Sequence, residues 1–265
     1  MITSISNAQV KQVCAYVQKA KERRKDGIFV VEGPKMFEEA PVDWIYKVYA
    51  TKSFCEKHTD DSIHTKLKET GCELVSDDVL AKMSDTKTPQ GVLSLVKWPQ
   101  YSLEDLIIKR NGVFVVLEDL QDPGNLGTII RTGEGAGISG VIMTSNTVDI
   151  FNPKTIRATM GSIYRVPFVY VQDISDAIEK LQAANIAVYA AHLKGERYYD
   201  AFDYSRGSAF LIGNEGNGLK EETAKLADTY VKIPMAGQVE SLNAAIATTL
   251  FMYEAADKGD FRRLL

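Results

Sequence analysis

The chain has 265 residues, 45% of them apolar and 25% charged, with a formal net charge of −4. Those are ordinary values for a folded globular chain, with room for two domains or one large one. No apolar run approaches the roughly 20 residues that span a bilayer, and the polar N-terminus has no signal-peptide stretch, so neither a membrane span nor export is expected.

In chain order, Asn7 is a candidate N-cap for a helix over 7–25, with Val10, Val13, Cys14 and Val17 at helical spacing. Lys11, Lys19, Lys21, Arg23, Arg24, Lys25 and Lys35 outnumber Glu22, Asp26 and Glu32 in this region. Such a basic stripe can contact phosphates although the whole chain is acidic; a solvated helix face is the competing reading. Gly27 breaks into the apolar strand Ile28–Val31, and Gly33-Pro34 open a second helix. Strand-like runs at 45–50, 73–75 and 91–97, with polar helical segments between them, complete a small α/β domain over 1–98. The polar stretch 99–111 reads as a linker.

From Gly112 to the end, 112–265, strands and helices alternate strictly. Strands are expected at 113–117, 141–144, 167–171, 187–191, 209–212 and 231–233. Helices are expected from 126, from 153, over 174–181, over 221–227 and over 242–253. This alternation implies a mostly parallel sheet with helices on both faces. Cys14, Cys55 and Cys72 are widely spaced without a CxxC pair, and His58, His64 and His192 form no cluster. They argue for a reducing cytosol, and against a disulfide framework or a metal site.

Two nucleotide-loop readings fail on context. Gly135, Gly137 and Gly140 have the spacing of a dinucleotide fingerprint, but they follow a helix and lead into a strand, the reverse of the required order. The loop at 213–220 lacks the glycine-lysine pair of a phosphate loop. Three other segments carry the chemistry: Asn125 to Arg131, Leu211 to Leu219 and Ile233 to Asn243. The last two each run from an apolar strand into a loop of glycines and small polar residues, where α/β proteins place their sites. Taken singly, Arg131 could be an ordinary surface arginine, Asn125 a helix cap and Glu215 the cap of the helix that follows its loop.

Together the three segments resemble the SpoU family of RNA ribose 2′-O-methyltransferases, within the SPOUT superfamily. Asn125, Gly127 and Arg131 match the first family motif. Gly213, Glu215, Gly216 and Gly218 match the second, and Ile233, Pro234, Met235, Ser241, Leu242 and Asn243 the third. Residues 7–39, with their basic helix and Phe29-Val30-Val31-Glu32-Gly33 strand, resemble the family's L30e-like RNA-binding domain. The resemblance implies an α/β fold: a C-terminal, mostly parallel sheet with a deep trefoil knot, plus the small N-terminal α/β domain.

It further implies S-adenosylmethionine as cofactor, with Gly213, Ile233, Leu242, Met235, Gly218 and Ala191 around it, and no metal. Arg131, Asn125, Glu215, Ser241 and Asn243 are the implied catalytic set, with Arg131 a phosphate clamp and alkoxide stabiliser rather than an easy proton acceptor, since its pKa exceeds about 12. Arg23, Arg24, Lys25 and Lys35 are the candidate RNA contacts. A cytoplasmic homodimer acting on structured RNA is expected, ribosomal RNA foremost. Transfer RNA as substrate, or a non-catalytic RNA-binding or ribosome-assembly protein on the same fold, are the alternatives.

Overall fold

The computed structural model describes residues 1–108 and 111–258. The chain forms two compact units, one of 1–100 with 149–164, the other of 101–148 and the described residues from 165 onward.

The first unit contains α1 (Ala8–Gln18), α2 (Ala20–Asp26), β1 (Ile28–Glu32), α3 (Pro34–Glu39), β2 (Ile45–Thr51), α4 (Lys52–Lys57), α5 (Ser62–Thr70), β3 (Glu73–Val75), α6 (Asp77–Met83) and β4 (Val92–Lys97). Its four strands lie in the order β1-β4-β2-β3, with β1–β4 and β4–β2 antiparallel and β2–β3 parallel. Apolar residues cover both faces. Val10, Val13 and Tyr16 meet Val79, Leu80 and Met83 over one face, while Phe37, Phe54, Ile63 and Leu67 pack with Val48, Ala50 and Val92.

The single helix expected over 7–25 is two helices. Asn7 caps α1 as the sequence suggests, accepting from the Gln9 N–H. The break falls at Lys19, whose backbone is extended (φ −125°, ψ 111°). The cause is Arg23. Its guanidinium donates to the carbonyls of Tyr16 and Val17, which the end of α1 leaves without helical partners, and pairs with the Asp149 carboxylate at 2.5 Å. Arg23 is only 3% exposed, so it is a structural residue and not the RNA contact expected of it. Arg24, Lys25 and Lys35 are exposed.

The segment 149–164 joins this unit although the sequence places it in the second domain. It holds α9 (Pro153–Thr159), and its Phe151 ring stacks on Phe29 and Trp98 at centroid distances of 4.7 and 4.5 Å. The Tyr164 hydroxyl donates to the Met36 carbonyl, tying the end of the segment to α3.

The second unit begins with α7 (Leu103–Ile107), which lies inside the stretch expected as a linker. Ser102 and Asp105 form a reciprocal capping box, and Leu103 and Leu106 are buried in this unit's core beside Phe114, Ile142 and Ile178. The stretch looked polar because a one-turn helix needs only two buried leucines. There follow β5 (Val113–Leu117), α8 (Pro123–Ala136), β6 (Gly140–Thr144), β7 (Phe168–Val171), α10 (Ile174–Ala183), β8 (Ala187–Ala191), β9 (Arg197–Tyr198), β10 (Ser208–Ile212), α11 (Glu221–Ala224), β11 (Thr229–Lys232) and α12 (Ala244–Lys258). The sheet has the order β7-β6-β5-β10-β8-β11-β9, and all of its pairings are parallel. Only β9 lacks a sequence signal, being two exposed residues long.

Candidate active site

From β5 the chain steps outward to β6 and β7, then returns to build β8 and β10 on the other side of β5. The boundary between β5 and β10 is therefore a switch point, and ligands of open parallel sheets bind beyond the carboxyl ends of strands at such points. Leu117 and Ile212 end these strands side by side, and the Glu118 N–H donates to the Ile212 carbonyl at 2.8 Å. The loops that carry the first two motifs thus start as neighbours.

The loop after β10 is a tight turn. Asn214 and Gly218 exchange two main-chain hydrogen bonds of 3.1 and 2.8 Å, and Gly218 takes a positive φ of 68°. The Asn214 side chain accepts from the N–H groups of Gly216 and Asn217 and donates to the Asp119 carbonyl. Gly213 has a role that the sequence does not disclose. A Cβ there would lie 2.0 Å from the Gly218 carbonyl carbon and 2.1 Å from the Leu219 nitrogen. Only glycine lets the turn close over the strand end.

Glu118 is a second such residue. Its carboxylate, 2% exposed, accepts from the Lys220 N–H at 2.9 Å and the Thr223 hydroxyl at 2.5 Å. The Lys220 ammonium lies 2.9 Å from the Asp119 carboxylate, so β5 holds the far end of the glycine loop as well. Burial tends to raise the Asp119 carboxyl, but Lys220 and the Thr144 hydroxyl outweigh it and hold it below the usual carboxylate range. A buried Glu at a strand end has no period or motif to announce it; two adjacent carboxylates after an apolar run were the available signal.

The three motifs converge on one chain of hydrogen bonds. Helix α8 starts at Pro123 and is capped by Asp122, whose side chain accepts from the Asn125 N–H. Asn125 is therefore inside the first turn and not the cap, and its amide is free for other work. The Glu215 carboxylate accepts from the N–H groups of Gln121 and Asp122 at 3.0 and 2.9 Å and from the Asn125 amide at 3.0 Å. It thus serves the start of α8, upstream in the chain, rather than the helix after its own loop. The positive end of the helix dipole favours a carboxylate there. Burial alone would raise the Glu215 pKa; the two main-chain donors and Asn125 more than offset it and keep the group below its ordinary range, as an anion.

The chain continues from the Asn125 oxygen, which accepts from the Asn243 amide at 2.9 Å. The Asn243 oxygen in turn accepts from the N–H groups of Ala245 and Ile246, opening α12. Starting from an acceptor-only carboxylate, every amide has one possible orientation. Each link polarises the next. Beside this chain lies a wide-open cavity of about 740 Å³, lined by Gln121, Asp122, Pro123, Asn125, Asn214, Glu215, Gly216 and Asn243.

Not every expected residue joins it. Ser241 is exposed and makes no hydrogen bond among the described residues. The Arg131 side chain is exposed and likewise bonds to none of the others among the described residues. Six residues beyond Asn125, at about 100° per residue, it points some 120° away around α8 and about 9 Å further along it. Ala191 ends β8, and Ile233, Met235 and Leu242 are half-buried in and around the loop after β11.

That loop also bears on what could bind. Among the described residues no main-chain group from 234 to 242 enters a backbone hydrogen bond outside regular elements. A Cβ on Gly218 or Gly237 would meet nothing within 4 Å. The segment therefore offers unsatisfied main-chain donors and acceptors beside open space, which suits a ligand held by backbone groups. Among the described residues no three His, Cys, Asp or Glu side chains are placed to hold a metal ion, and no helix is long and apolar enough to cross a membrane.

Residues 112–253, which include all three converging motifs, match the SpoU rRNA Methylase family. The chain belongs to that family. Residues 7–94 of this SpoU-family chain match the MRM3-like substrate binding domain. The chain is 32% identical to the 23S rRNA (guanosine(2553)-2′-O)-methyltransferase RlmP of Bacillus subtilis over 95% of its own length and 97% of that protein's. Among solved structures it is similar to an AdoMet-bound rRNA methyltransferase from Sinorhizobium meliloti, with 34% identity, a TM-score of 0.85 and coverage of 100% and 98% of the two chains. It is also similar to the SpoU methyltransferase AviRb from Streptomyces viridochromogenes in complex with AdoMet, with 27% identity, a TM-score of 0.84 and coverage of 97% and 98%.

Proposed function

We propose that this SpoU-family chain transfers a methyl group from S-adenosylmethionine to a ribose 2′-hydroxyl of ribosomal RNA. The observation that carries the reading is the Glu215–Asn125–Asn243 chain, which joins all three family motifs beside one cavity at the switch point. The names of the relatives, two of them structures with AdoMet bound, supply the donor and the class of acceptor.

The open backbone of 234–242 and the exposed main chain at Gly218 fit the donor. Gly213, Gly218, Ile233, Met235, Leu242 and Ala191 are the residues that hold it, with Gly213 acting by letting the turn close. S-adenosylmethionine supplies an electrophilic methyl on a sulfonium. In the transfer the methyl–sulfur bond breaks as the carbon–oxygen bond forms, the sulfur keeps the electron pair as a neutral thioether, and the hydroxyl proton passes to solvent water. Glu215, already anionic and engaged by three donors, is a poor proton acceptor. Its work, with Asn125 and Asn243, is to fix the starts of α8 and α12 about the cavity, so that the reactants meet in line.

Arg131 binds the phosphate beside the target ribose and stabilises the developing alkoxide. Its direction, away from its own chain's Asn125, supports a homodimer in which it completes the partner's site. Exposed Ile246 and Tyr253, on the helix packed against α8, provide apolar surface for that contact. The sheet knots as in the family, Ser241 orients the hydroxyl, and the exposed cations Arg24, Lys25 and Lys35 meet the RNA backbone. The protein works in the cytoplasm, where its RNA substrate is made.

The test is transfer of a labelled methyl to ribosomal RNA from a strain lacking the gene, with nuclease digestion and mass spectrometry. One 2′-O-methylated nucleotide is expected. Arg131→Ala should abolish transfer and leave donor affinity within about twofold; loss of donor binding instead would overturn the role given to Arg131.

A further inference from the structure

The first unit carries an open cavity of about 640 Å³ that the chemistry above does not use. Its walls come from the start of α3, the end of β2 with α4, from α6, and from the loop that leads into β4. Two glycines show that these walls are built to a shape. Gly33 and Gly91 have positive φ values of 91° and 86°. A Cβ on Gly33 would come within 2.6 Å of the Gln90 side-chain oxygen, and one on Gly91 within 2.7 Å of Phe54. The loop carrying Gln90 is held at both ends. Glu32 accepts from the Asp85 N–H at 2.7 Å and the Thr86 hydroxyl at 2.8 Å, while the Gly91 carbonyl accepts from the Thr51 N–H at 2.9 Å.

The lining is aromatic on one side, where two rings meet at 45°, and mixed in polarity on the other. The His58 ring packs on Phe54 at a centroid distance of 4.5 Å. Its Nδ1 lies 2.6 Å from the Asp61 carboxylate, which fixes the ring and leaves Nε2 without a partner among the described residues. Gln90 offers an amide and Thr51 and Ser53 offer hydroxyls, while Lys57 stands on one wall and Asp77 and Asp78 on another. The two carboxylates repel a phosphate but accept from ring or exocyclic N–H groups; Lys57 attracts a phosphate. That asymmetry suits a nucleotide entering base first, with its backbone on the Lys57 side. The volume falls within the roughly 300–1,000 Å³ of small-ligand sites. Proteins read RNA by lifting unpaired bases onto aromatic rings and bonding their edges.

We infer that this cavity takes one unpaired, amino-bearing nucleobase of the RNA substrate, stacked toward the Phe54–His58 wall with its edge toward Gln90 and the Asp77–Asp78 wall. The inference rests on the reading that RNA is the substrate. It assigns base recognition to the first unit, some way from the chemistry in sequence and in a separate fold. An amino-bearing base is adenine, cytosine or guanine; uracil offers the two carboxylates one ring N–H and no amino group.

The experiment uses the full chain, a 23S ribosomal RNA transcript, and three versions of that transcript carrying 8-azidoadenosine, 5-iodocytidine or 6-thioguanosine for photocrosslinking. His58→Ala and Gln90→Ala should each raise the KM for RNA about tenfold, with kcat at saturating RNA and donor affinity unchanged. Both variants should keep the wild-type melting temperature, and wild-type crosslinks should map to 51–58 or 77–91. Should a variant fail to fold, the wild-type crosslink map decides alone. Methylation by wild type with unchanged KM in both variants, or with crosslinks confined to other peptides, overturns the cavity assignment and leaves the proposed function standing. A wild-type chain that neither binds nor methylates the RNA overturns both.

Discussion

Replacing Gly213 by alanine tests the idea that the glycine loop is shaped first by its own backbone. The added methyl would sit 2.0 to 2.2 Å from three main-chain atoms of Gly218 and Leu219, where ordinary contact begins at 3.4 Å. No rotamer relieves this, because a Cβ has none and the neighbours are backbone. The turn must open by more than an ångström. Opening forfeits the two hydrogen bonds between Asn214 and Gly218, each worth about 1 kcal/mol net. Residual overpacking adds about 1–2 kcal/mol. A total of about 3–4 kcal/mol is expected in urea unfolding, together with a loss of S-adenosylmethionine affinity of tenfold or more by calorimetry. Gly216→Ala is the control, since its Cβ would meet only the Asn214 oxygen at 3.5 Å, and it should change stability by less than about 1 kcal/mol. If Gly213→Ala matched wild type in both measurements, the backbone argument would be wrong.

Two further outcomes follow from charges. Arg23→Met strands the Asp149 carboxylate and the carbonyls that end α1, and should cost about 3–5 kcal/mol in urea unfolding, whereas Arg24→Ala on the exposed face should cost less than about 0.5; equal effects would refute the structural role of Arg23. Glu215 and Asp119 both hold their carboxyls below the ordinary range of about 4. A depressed carboxyl stabilises its surroundings above the unfolded value and loses that contribution as pH falls through the folded one. Donor affinity should therefore be level from about pH 8 to about pH 5 and decline only below about pH 4. A midpoint between pH 6 and 8 would point to a different titrating group.

Much of this was legible in the sequence, and the failures have physical reasons. The alternation of apolar strands with helices from 113 onward is a direct consequence of a parallel sheet buried on both faces, so those elements fall close to where they are expected. Of the catalytic set that the resemblance implies, Asn125, Glu215 and Asn243 meet through hydrogen bonds, whereas Arg131 and Ser241 do not join them. The basic stripe suggests an RNA contact at Arg23, but charge in a helix gives no hint that a carboxylate 126 residues away will bury it. The sequence does not disclose what Gly213 does for the loop itself, because a glycine beside a strand end looks the same whether a cofactor or the chain's own backbone approaches it. The helix Leu103–Ile107 has no sequence signature because five residues are too few to show a period.

The segment 149–164 sets a timetable for synthesis. Most residues of the first unit leave the ribosome within its first hundred, yet Phe151 fills the space between Phe29 and Trp98, Asp149 neutralises Arg23, and Tyr164 reaches Met36. Those partners emerge only after β5, α8 and β6 have been made. At about 5–20 residues per second, the nascent unit waits several seconds for its last pieces, with two aromatic rings and a guanidinium uncovered. A fragment ended at residue 100 should therefore be less stable than the same residues in the whole chain, and cutting the protein at its apparent boundary would separate parts that finish folding together.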